Sequence, residues 1–259
     1  MKGLEDKSSE GLVERIAEHD RRISQQFSSV KEKIEHFFFD METPCPYGMP
    51  YKAVFHQAFF APIEEHIMEM FLAAGYRRNG NCLYTMRCPD CSACVSIRMI
   101  PELFTANRNQ KRTWKRNSDL TYSVEPVKGT EENIELCNRF LDSRYPKDNS
   151  GAKYYKDFFE NSIVSSIQLQ FRKDGRLVGS SIVDFGLNWL NAVYFFFDPT
   201  ENSRSLGTFN ILTLIEICKK RGLDYLYLGY YIDGLSSMSY KARFKPHQLL
   251  QDGQWHSYL

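Results

Sequence analysis

The chain has 259 residues, of which 42% are hydrophobic and 14% aromatic, and its net charge is +1. This composition predicts a globular protein, and the near-neutral charge argues against a non-specific nucleic-acid binder. No apolar run is long enough to span a bilayer, and the charged N-terminus lacks the apolar region of a secretory signal. We therefore expect a cytoplasmic protein without a membrane partner, and disulfides are rare in that compartment.

The first half of the chain is predicted to alternate helices with short strands. Apolar residues at spacings of three, four and seven predict one amphipathic helix over residues 9–40, which either packs on the body or pairs with a second chain. Three prolines between residues 44 and 50 are expected to end it. Further helices are predicted over 62–75, 105–116, 130–145 and 152–163, with turns and strands over 76–98 and a strand over 119–127.

The last hundred residues have a clearer pattern. Strands are predicted over 166–172, 177–185 and 191–197, the first two joined by a hairpin turn at Lys173-Asp-Gly175. An apolar helix over 209–220 ends at Gly222 and leads into a strand over 223–228 that can lie parallel to the third strand. This order predicts an α+β protein with the core of the acetyltransferase-like (GNAT) fold.

A basic segment lies between Asn107 and Asn117. It contains Trp114 and no acid, and its five basic residues are Arg108, Lys111, Arg112, Lys115 and Arg116. The segment is either a solvated helix face or a phosphate-binding patch with an aromatic platform.

A second candidate anion site is the segment Ser205-Leu206-Gly207-Thr208, which lies where a helix begins after a strand. Free backbone amides and the positive end of the helix dipole favour an anion there, although a simple N-cap would look the same.

Three cysteines, Cys88, Cys91 and Cys94, are crowded into seven residues, and Cys45 is the natural fourth member. Four thiolates suit zinc or an iron–sulfur cluster, and incidental reduced thiols are the alternative. Cys218 lies in an apolar helix and is predicted to be a core residue.

Near the C-terminus, an aromatic segment, Tyr225-Leu-Tyr-Leu-Gly-Tyr-Tyr-Ile232, is followed by one in which aromatic and basic residues alternate, Tyr240-Lys-Ala-Arg-Phe-Lys-Pro246. The first segment is compatible with ordinary strand packing. The second favours a surface for a nucleotide or a carboxylate.

Several segments, in order along the chain, resemble the aminoacyl-tRNA–protein transferases, most closely their bacterial aspartate/glutamate leucyltransferase branch. They are CPY (45–47), GYRRNGNCLY (75–84), RCPDCSAC (87–94), NQKRTWKRNSDL (109–120), AVYFFFDP (192–199), SLGT (205–208) and YLYLGYYIDGLSSMSYKARFKP (225–246). The helix predicted over residues 9–40 and Cys82 lie outside the resemblance.

The resemblance implies transfer of an aminoacyl group from tRNA to the α-amine of a protein that begins with Asp or Glu, which marks that protein for proteolysis. It implies an N-terminal helical extension (1–42), a subdomain for substrate and tRNA recognition that carries the cysteines (43–125) and a GNAT-like transfer domain (126–259). A monomer is expected, with a dimer through the N-terminal helix as the alternative.

The ester is already activated, so positioning, a proton acceptor and oxyanion donors are the chemistry required, and no catalytic cofactor is implied. The candidates for proton transfer and oxyanion stabilisation are Asp184, Tyr194 and Asp198. Substrate binding is assigned to Arg77, Arg78, Arg98, Tyr230, Tyr240, Lys241 and Arg243, with Lys241 and Arg243 as rivals for the carboxylate or ligands of the terminal tRNA phosphates. The tRNA 3′ end is assigned to residues 205–208, the remaining tRNA phosphates to the basic segment, and zinc or an iron–sulfur cluster to the four cysteines.

Alternatives remain at this point. An arginyl-tRNA donor would fit the same family. A CoA-dependent acetyltransferase would explain the fold but not the cysteines, whereas a non-catalytic RNA-binding metalloprotein would explain the cysteines and the basic segment but not the strand–helix core.

Overall fold

The computed structural model describes residues 2–145 and 150–259, with side chains from residue 11 onward. The described helices and strands, in chain order, are α1 (Lys2–Ile34), β1 (Phe39–Pro44), β2 (Lys52–Phe59), α2 (Glu65–Ala73), β3 (Arg77–Asn79), β4 (Cys82–Met86), β5 (Val95–Met99), α3 (Arg108–Arg116), β6 (Leu120–Pro126), α4 (Glu131–Arg144), α5 (Gly151–Tyr154), β7 (Ser166–Lys173), β8 (Arg176–Phe185), β9 (Trp189–Phe197), α6 (Leu206–Arg221), β10 (Tyr225–Tyr231), α7 (Ser236–Ser239), β11 (His247–Gln251) and β12 (Gln254–Tyr258).

An eight-stranded sheet in the order β12-β11-β5-β10-β9-β8-β7-β6 forms the centre of the protein. Strands β7, β8 and β9 are antiparallel neighbours, and β10 returns parallel to β9 after helix α6. Because this is the arrangement that the strand order predicted, the α+β fold with an acetyltransferase-like core is confirmed.

Strands β9 and β10 stay together over only part of their length. They pair from Tyr225 to Tyr227, whereas β10 continues beside β5 as far as Tyr231, with an irregularity in register after Tyr227. The two parallel strands therefore separate at their carboxyl ends. The opening lies near the start of α6, because a short 3₁₀ segment, Pro199–Arg204, leads from β9 into that helix.

A smaller antiparallel sheet in the order β1-β2-β4-β3 lies in the N-terminal half, with α2 between β2 and β3 in sequence. The N-terminal half does not stay apart from the transfer core, since β5 inserts between β10 and β11 and β6 forms an edge of the large sheet. The division into domains at residues 42/43 and 125/126 stays a prediction.

Helix α1 differs from its prediction at the C-terminal end. It ends at Ile34 and is followed by a 3₁₀ turn, Glu35–Phe37, and then by β1. The prediction that the helix continues to residue 40 is wrong. Phe39 begins a strand that pairs with β2, and aromatic residues favour strands.

The apolar face of α1 packs within the chain. Ile16 and Ile23 are buried, and the ring of Phe27 lies 5.5 Å from that of Phe71 and 5.7 Å from that of Tyr76. These residues of α1 thus pack on the body of the chain, and the oligomeric state stays a prediction. No helix among the described residues has the length and apolar character needed to cross a bilayer.

Candidate functional site

The opening between β9 and β10 brings together residues from distant parts of the chain. Gly229 of β10 has a φ of +78°, a left-handed conformation that favours glycine, and its carbonyl accepts a hydrogen bond of 2.9 Å from Nη2 of Arg77. The Arg77 guanidinium carbon lies 5.3 Å from the centre of the Tyr230 ring. Nζ of Lys241 donates to the Tyr230 carbonyl at 2.8 Å.

Arg77 is buried and Lys241 is half-buried, and neither side chain has an anionic partner among the described residues. Arg77 donates to the carbonyls of Tyr76 and Gly229, its Nε has no hydrogen-bond partner, and no ion pair involves either residue among the side chains of residues 11–145 and 150–259. Burial lowers the pKa of Arg77, and burial together with the charge of Arg77 lowers the pKa of Lys241 to about 7. An anion that entered this opening would find positive charge uncompensated by protein.

Tyrosines form much of the remaining surroundings. The Tyr84 and Tyr230 rings lie 6.4 Å apart, and burial raises the pKa of Tyr84 to about 12 and that of Tyr230 as well. Burial also raises the pKa of Tyr47 and brings that of Tyr240 to about 12. These phenols therefore stay protonated near neutral pH and are available as hydrogen-bond donors.

Arg78 and Asp184, predicted in separate roles, are bound to each other. Nε and Nη2 of Arg78 donate to the two carboxylate oxygens of Asp184 at 2.7 and 2.6 Å, and both side chains are fully buried. Asp184 also accepts from Ser166 Oγ at 2.7 Å and Asn191 Nδ2 at 3.1 Å. In this structure the Nε and Nη2 donors of Arg78 are already bonded to Asp184 and are not available to a substrate carboxylate, and Asp184 is not available as a proton acceptor.

Arg98 is also neutralised within the chain. Its side chain is fully buried and stacks between Tyr225 and Trp255, with ring centres 4.4 and 4.1 Å from the guanidinium carbon. Nη2 donates to the carboxylate of Asp20 on α1, and Nε donates to Gln248 Oε1 at 2.8 Å. Arg98, predicted to bind the substrate carboxylate, is therefore already paired with the carboxylate of Asp20.

The other two predicted catalytic residues are held by structural contacts. Tyr194 lies in an aromatic cluster of the core, 5.4 Å from the Phe159 ring, and burial raises its pKa. Asp198 accepts bonds from the amide and hydroxyl of Thr200 and from Arg176. Burial alone would raise the pKa of Asp198, but these hydrogen bonds outweigh it and keep the pKa below its usual range.

The start of α6 lies beside the opening. Ser205 has a φ of +56°, and its carbonyl accepts bonds from the amides of Thr208 and Phe209. A Cβ on Gly207 would lie 3.7 Å from the Tyr240 hydroxyl, so this turn of α6 faces the segment that carries Lys241. The first amides of a helix lack intrahelical partners, which makes the predicted anion site here physically reasonable.

Helix α3 borders the same region. Asn107 and Gln110 form a capping box at its start, and Gln110 Nε2 donates to the Arg243 carbonyl at 3.1 Å. At its end, Arg116 donates to the Ser203 carbonyl, just before α6. The basic side chains are exposed, and Trp114 is 43% exposed with its ring 5.4 Å from that of Phe209. The basic surface therefore continues to the start of α6 and to Arg243, which is itself exposed.

The four predicted metal ligands line one cavity of about 160 Å³, together with Tyr47, Met49 and Ile232. Burial and then the neighbouring thiols of Cys88, Cys45 and Cys91 raise the pKa of Cys94 to about 12. Among the described residues, however, no three Cys, His, Asp or Glu side chains are close enough together to hold a metal ion. The donor chemistry fits a metal but the spacing does not, and the metal stays a prediction. Cys218 is fully buried in the core, as predicted.

The sequence did not single out Tyr47, Tyr84, Gly229 or Asp20. Tyr47 and Tyr84 belong to the CPY and GYRRNGNCLY segments, so the family resemblance could have indicated them. Gly229 interrupts a run of strand-forming residues, which is a signal for a bulge or a close backbone approach. Asp20 is one of many charged residues in α1 and carries no local signal.

Known proteins resemble this chain along most of its length. The models of the arginine-tRNA-protein transferase family match residues 43–112 (N terminus) and 132–251 (C terminus). An aspartate/glutamate leucyltransferase of Hahella chejuensis is 37% identical over 187 residues, 70% of this chain and 79% of that protein. That of Gluconacetobacter diazotrophicus is 36% identical over 226 residues, 85% of this chain and 86% of that protein.

Solved structures resemble it more weakly. FemX is 8% identical with a TM-score of 0.48, covering 86% of this chain and 72% of that one. L-PGS from Bacillus licheniformis is 13% identical with a TM-score of 0.40, covering 71% and 55%. These likenesses are too distant to bear on function, whereas the family models and the relatives at 36–37% identity show that this chain belongs to the arginine-tRNA–protein transferase family of aminoacyltransferases.

Proposed function

We propose that this protein transfers leucine from Leu-tRNA to the α-amine of proteins that begin with Asp or Glu and thereby marks them for proteolysis. The relatives that resemble it are named for leucyl transfer to these two residues. The observation that carries the proposal is the buried guanidinium of Arg77, which has no anionic partner among the described residues. Such a site favours an acceptor that brings its own carboxylate.

Arg77 is the proposed ligand of the acceptor carboxylate. Arg78 is neutralised by Asp184 and Arg98 by Asp20, so neither has a free carboxylate-binding face. Arg98 also pairs with Tyr227, the last residue of β10 that is paired with β9, whereas Arg77 contacts Gly229 and Tyr230 beyond it.

The donor is proposed to bind along α3 and the start of α6. Exposed Lys and Arg side chains of α3 would contact phosphates, and Trp114 offers a stacking surface. The amides at Leu206 and Gly207 would then hold a phosphate close to the terminal adenosine. This path ends at the opening, where the ester would meet the acceptor amine. Since the donor is an aminoacyl-tRNA, we place the reaction in the cytoplasm.

The reaction requires positioning more than activation. The α-amine has a reference pKa near 8, so a useful fraction is neutral at pH 7–8, and the ester is already activated. The protonated phenols of Tyr84 and Tyr230 are the proposed donors to the oxygen that becomes negative during attack.

We further propose that Cys45, Cys88, Cys91 and Cys94 hold zinc or an iron–sulfur cluster. The four thiols line one cavity, although their side chains are not at ligand spacing in this structure. Zinc would tie the two loops together, and a cluster would make that tie sensitive to oxidation. No step of the transfer is assigned to the metal. A monomer is proposed, since the apolar face of α1 is used within the chain.

The test mixes the protein with labelled Leu-tRNA, Arg-tRNA or acetyl-CoA and with peptides that begin with Asp, Glu, Asn or Ala. Label from Leu-tRNA on the Asp and Glu peptides alone supports the proposal. Label from Arg-tRNA instead would establish the arginyl alternative of the same family. Label from acetyl-CoA, or no label from any donor, would overturn the proposal.

A variant sharpens the assignment of the carboxylate ligand. Arg77→Met should lower kcat/KM for the Asp peptide by about thirty-fold or more, since losing the partner of a buried charge costs at least about 2 kcal/mol. The preference for Asp over Asn peptides should fall with it. Arg221→Met, which alters an exposed arginine at the end of α6, is the matched control. An unchanged Asp/Asn preference in Arg77→Met would remove Arg77 from the acceptor site.

A further inference from the structure

Lys241 occupies an unusual position for a lysine. It lies in the 3₁₀ turn Tyr240–Arg243, and its Nζ reaches back to β10, where it donates to the Tyr230 carbonyl at 2.8 Å and contacts Met238 Sδ at 3.7 Å. A Cβ placed on Gly229 would lie 3.8 Å from the same Nζ. The amine is therefore fixed at the residues where β10 has separated from β9.

The surroundings of this amine disfavour its charged form. The charge that acts on this amine is the Arg77 guanidinium, which has the same sign, and no carboxylate pairs with Nζ among the side chains of residues 11–145 and 150–259. Burial is the larger cause and Arg77 the smaller, and together they bring the pKa of Lys241 to about 7. An amine of this pKa matches the operating pH of a general base.

The three tyrosines and the arginine that surround this amine do not change charge near pH 7. Tyr84 and Tyr230, on β4 and β10, and Tyr240, beside Lys241, all have a pKa raised by burial. Arg77, on β3, remains a cation near neutral pH. Asp184 and Asp198, the acids predicted as proton acceptors, are held by Arg78 and by Arg176 with Thr200.

We propose that Lys241 is the proton acceptor of the transfer step. This inference rests on the proposed function, because it requires an amine acceptor and an aminoacyl ester. The lone pair of the acceptor α-amine attacks the ester carbonyl carbon, and the C–N bond forms. One proton leaves that nitrogen for the neutral Nζ of Lys241. When the C–O bond to the terminal ribose of tRNA breaks, the ribose oxygen takes the proton from the Lys241 ammonium, so the amine is restored.

Two substitutions separate proton transfer from charge. Lys241→Ala removes the amine, whereas Lys241→Arg keeps a cation that cannot give up its proton. Both should lower the single-turnover rate of leucyl transfer about 10²–10⁴-fold, the usual contribution of general acid–base catalysis. Lys220→Ala and Lys220→Arg, at an exposed position of α6, are the matched controls and should retain wild-type rates.

Chemical rescue and the pH profile provide readouts that a structural role would not change. Ethylamine and weaker primary amines should restore transfer by Lys241→Ala in proportion to their concentration and basicity. The wild-type rate should rise between pH 6 and 8 as Lys241 and the acceptor amine lose protons, and Lys241→Ala should retain only the rise due to the acceptor amine. Thermal unfolding and tRNA binding of each variant show whether it is folded.

The outcomes are distinct. Near-wild-type transfer by Lys241→Arg would overturn the inference and assign an electrostatic role to this residue. A folded Lys241→Ala variant that is slow, is not rescued by any amine and keeps the wild-type pH profile would also overturn it. A wild-type protein that transfers nothing to any peptide would overturn both this inference and the proposed function, whereas either variant result overturns this inference alone.

Discussion

The buried pair formed by Arg78 and Asp184 allows the strongest prediction about what holds this fold together. Both side chains are fully buried, and the Asp184 carboxylate accepts four hydrogen bonds, two from Arg78 and one each from Ser166 and Asn191. The pair joins β3 of the small sheet to β8 of the large one. Removing one charge leaves the other buried and unpaired.

Asp184→Asn should lower the free energy of unfolding by about 3–5 kcal/mol, the usual loss when one partner of a buried ion pair is removed. Arg78→Met should cost a similar amount. The double variant Arg78→Met with Asp184→Leu should cost well under the sum of the singles, because an apolar pair of similar volume avoids desolvation of both charges. The coupling between the two sites should then be roughly 0.5–3 kcal/mol.

Equilibrium unfolding in urea measures these quantities. The exposed pair of Lys52 and Glu42, 2.9 Å apart and 77% and 61% exposed, provides the control, and its removal should leave the free energy of unfolding nearly unchanged. Loss of transfer by Asp184→Asn with full stability would refute the structural role. That result would support the catalytic role that the sequence predicted for Asp184.

Three further predictions concern other parts of the molecule. Replacing Lys111, Arg112 and Lys115 by Ala should weaken tRNA binding. Fluorescence anisotropy between 50 and 200 mM salt should show that the slope of log K against log salt concentration becomes shallower by about two. An unchanged slope would identify α3 as a solvated face. Asp20→Ala should lower the free energy of unfolding in urea by about 3 kcal/mol, because Arg98 stays buried without its carboxylate; full stability would show that Arg98 is satisfied by its aromatic neighbours. Elemental analysis and absorption spectra of protein purified with and without air should show zinc or an iron–sulfur cluster. The metal should be lost when any cavity cysteine is replaced by Ser and kept in Cys218→Ala. The absence of both metals would mean that the four cysteines are reduced thiols.

Local sequence patterns predicted the C-terminal elements well, because their signals involve neighbouring residues. The turn predicted at Lys173-Asp-Gly175 has φ values of +48° at Asp174 and +82° at Gly175, and Gly222 closes α6 at +65°. Each of these positions needs a conformation that few residues adopt. The same locality explains the error at α1, where pairing with β2 fixes the conformation of Phe39.

The partners of the charged residues could not be predicted in this way. Arg78 and Asp184 are 106 residues apart in sequence, and Arg98 and Asp20 are 78 apart. Arg77 and Arg78 lie in one segment typical of the family and Arg98 lies just after another, and the sequence offers no local reason to prefer one of them as a substrate ligand. The tertiary structure distinguishes the three arginines, because it places a carboxylate beside Arg78 and Arg98 and, among the described side chains, none beside Arg77.

The contact between Asp20 and Arg98 ties the N-terminal helix to the large sheet. Both family models begin after α1, since the first of them starts at residue 43, yet α1 supplies the carboxylate that neutralises a fully buried arginine of β5. A guanidinium in that position is costly without an anion. Arg15 of the same helix forms a two-bond contact with Asp224, and the Tyr225 hydroxyl donates to Asp20 at 3.1 Å, so the helix is fixed by charge as well as by its apolar face. A related chain that keeps the arginine but lacks this helix must neutralise it with another acid or leave it open to a ligand, whereas in this protein α1 supplies the acid to β5.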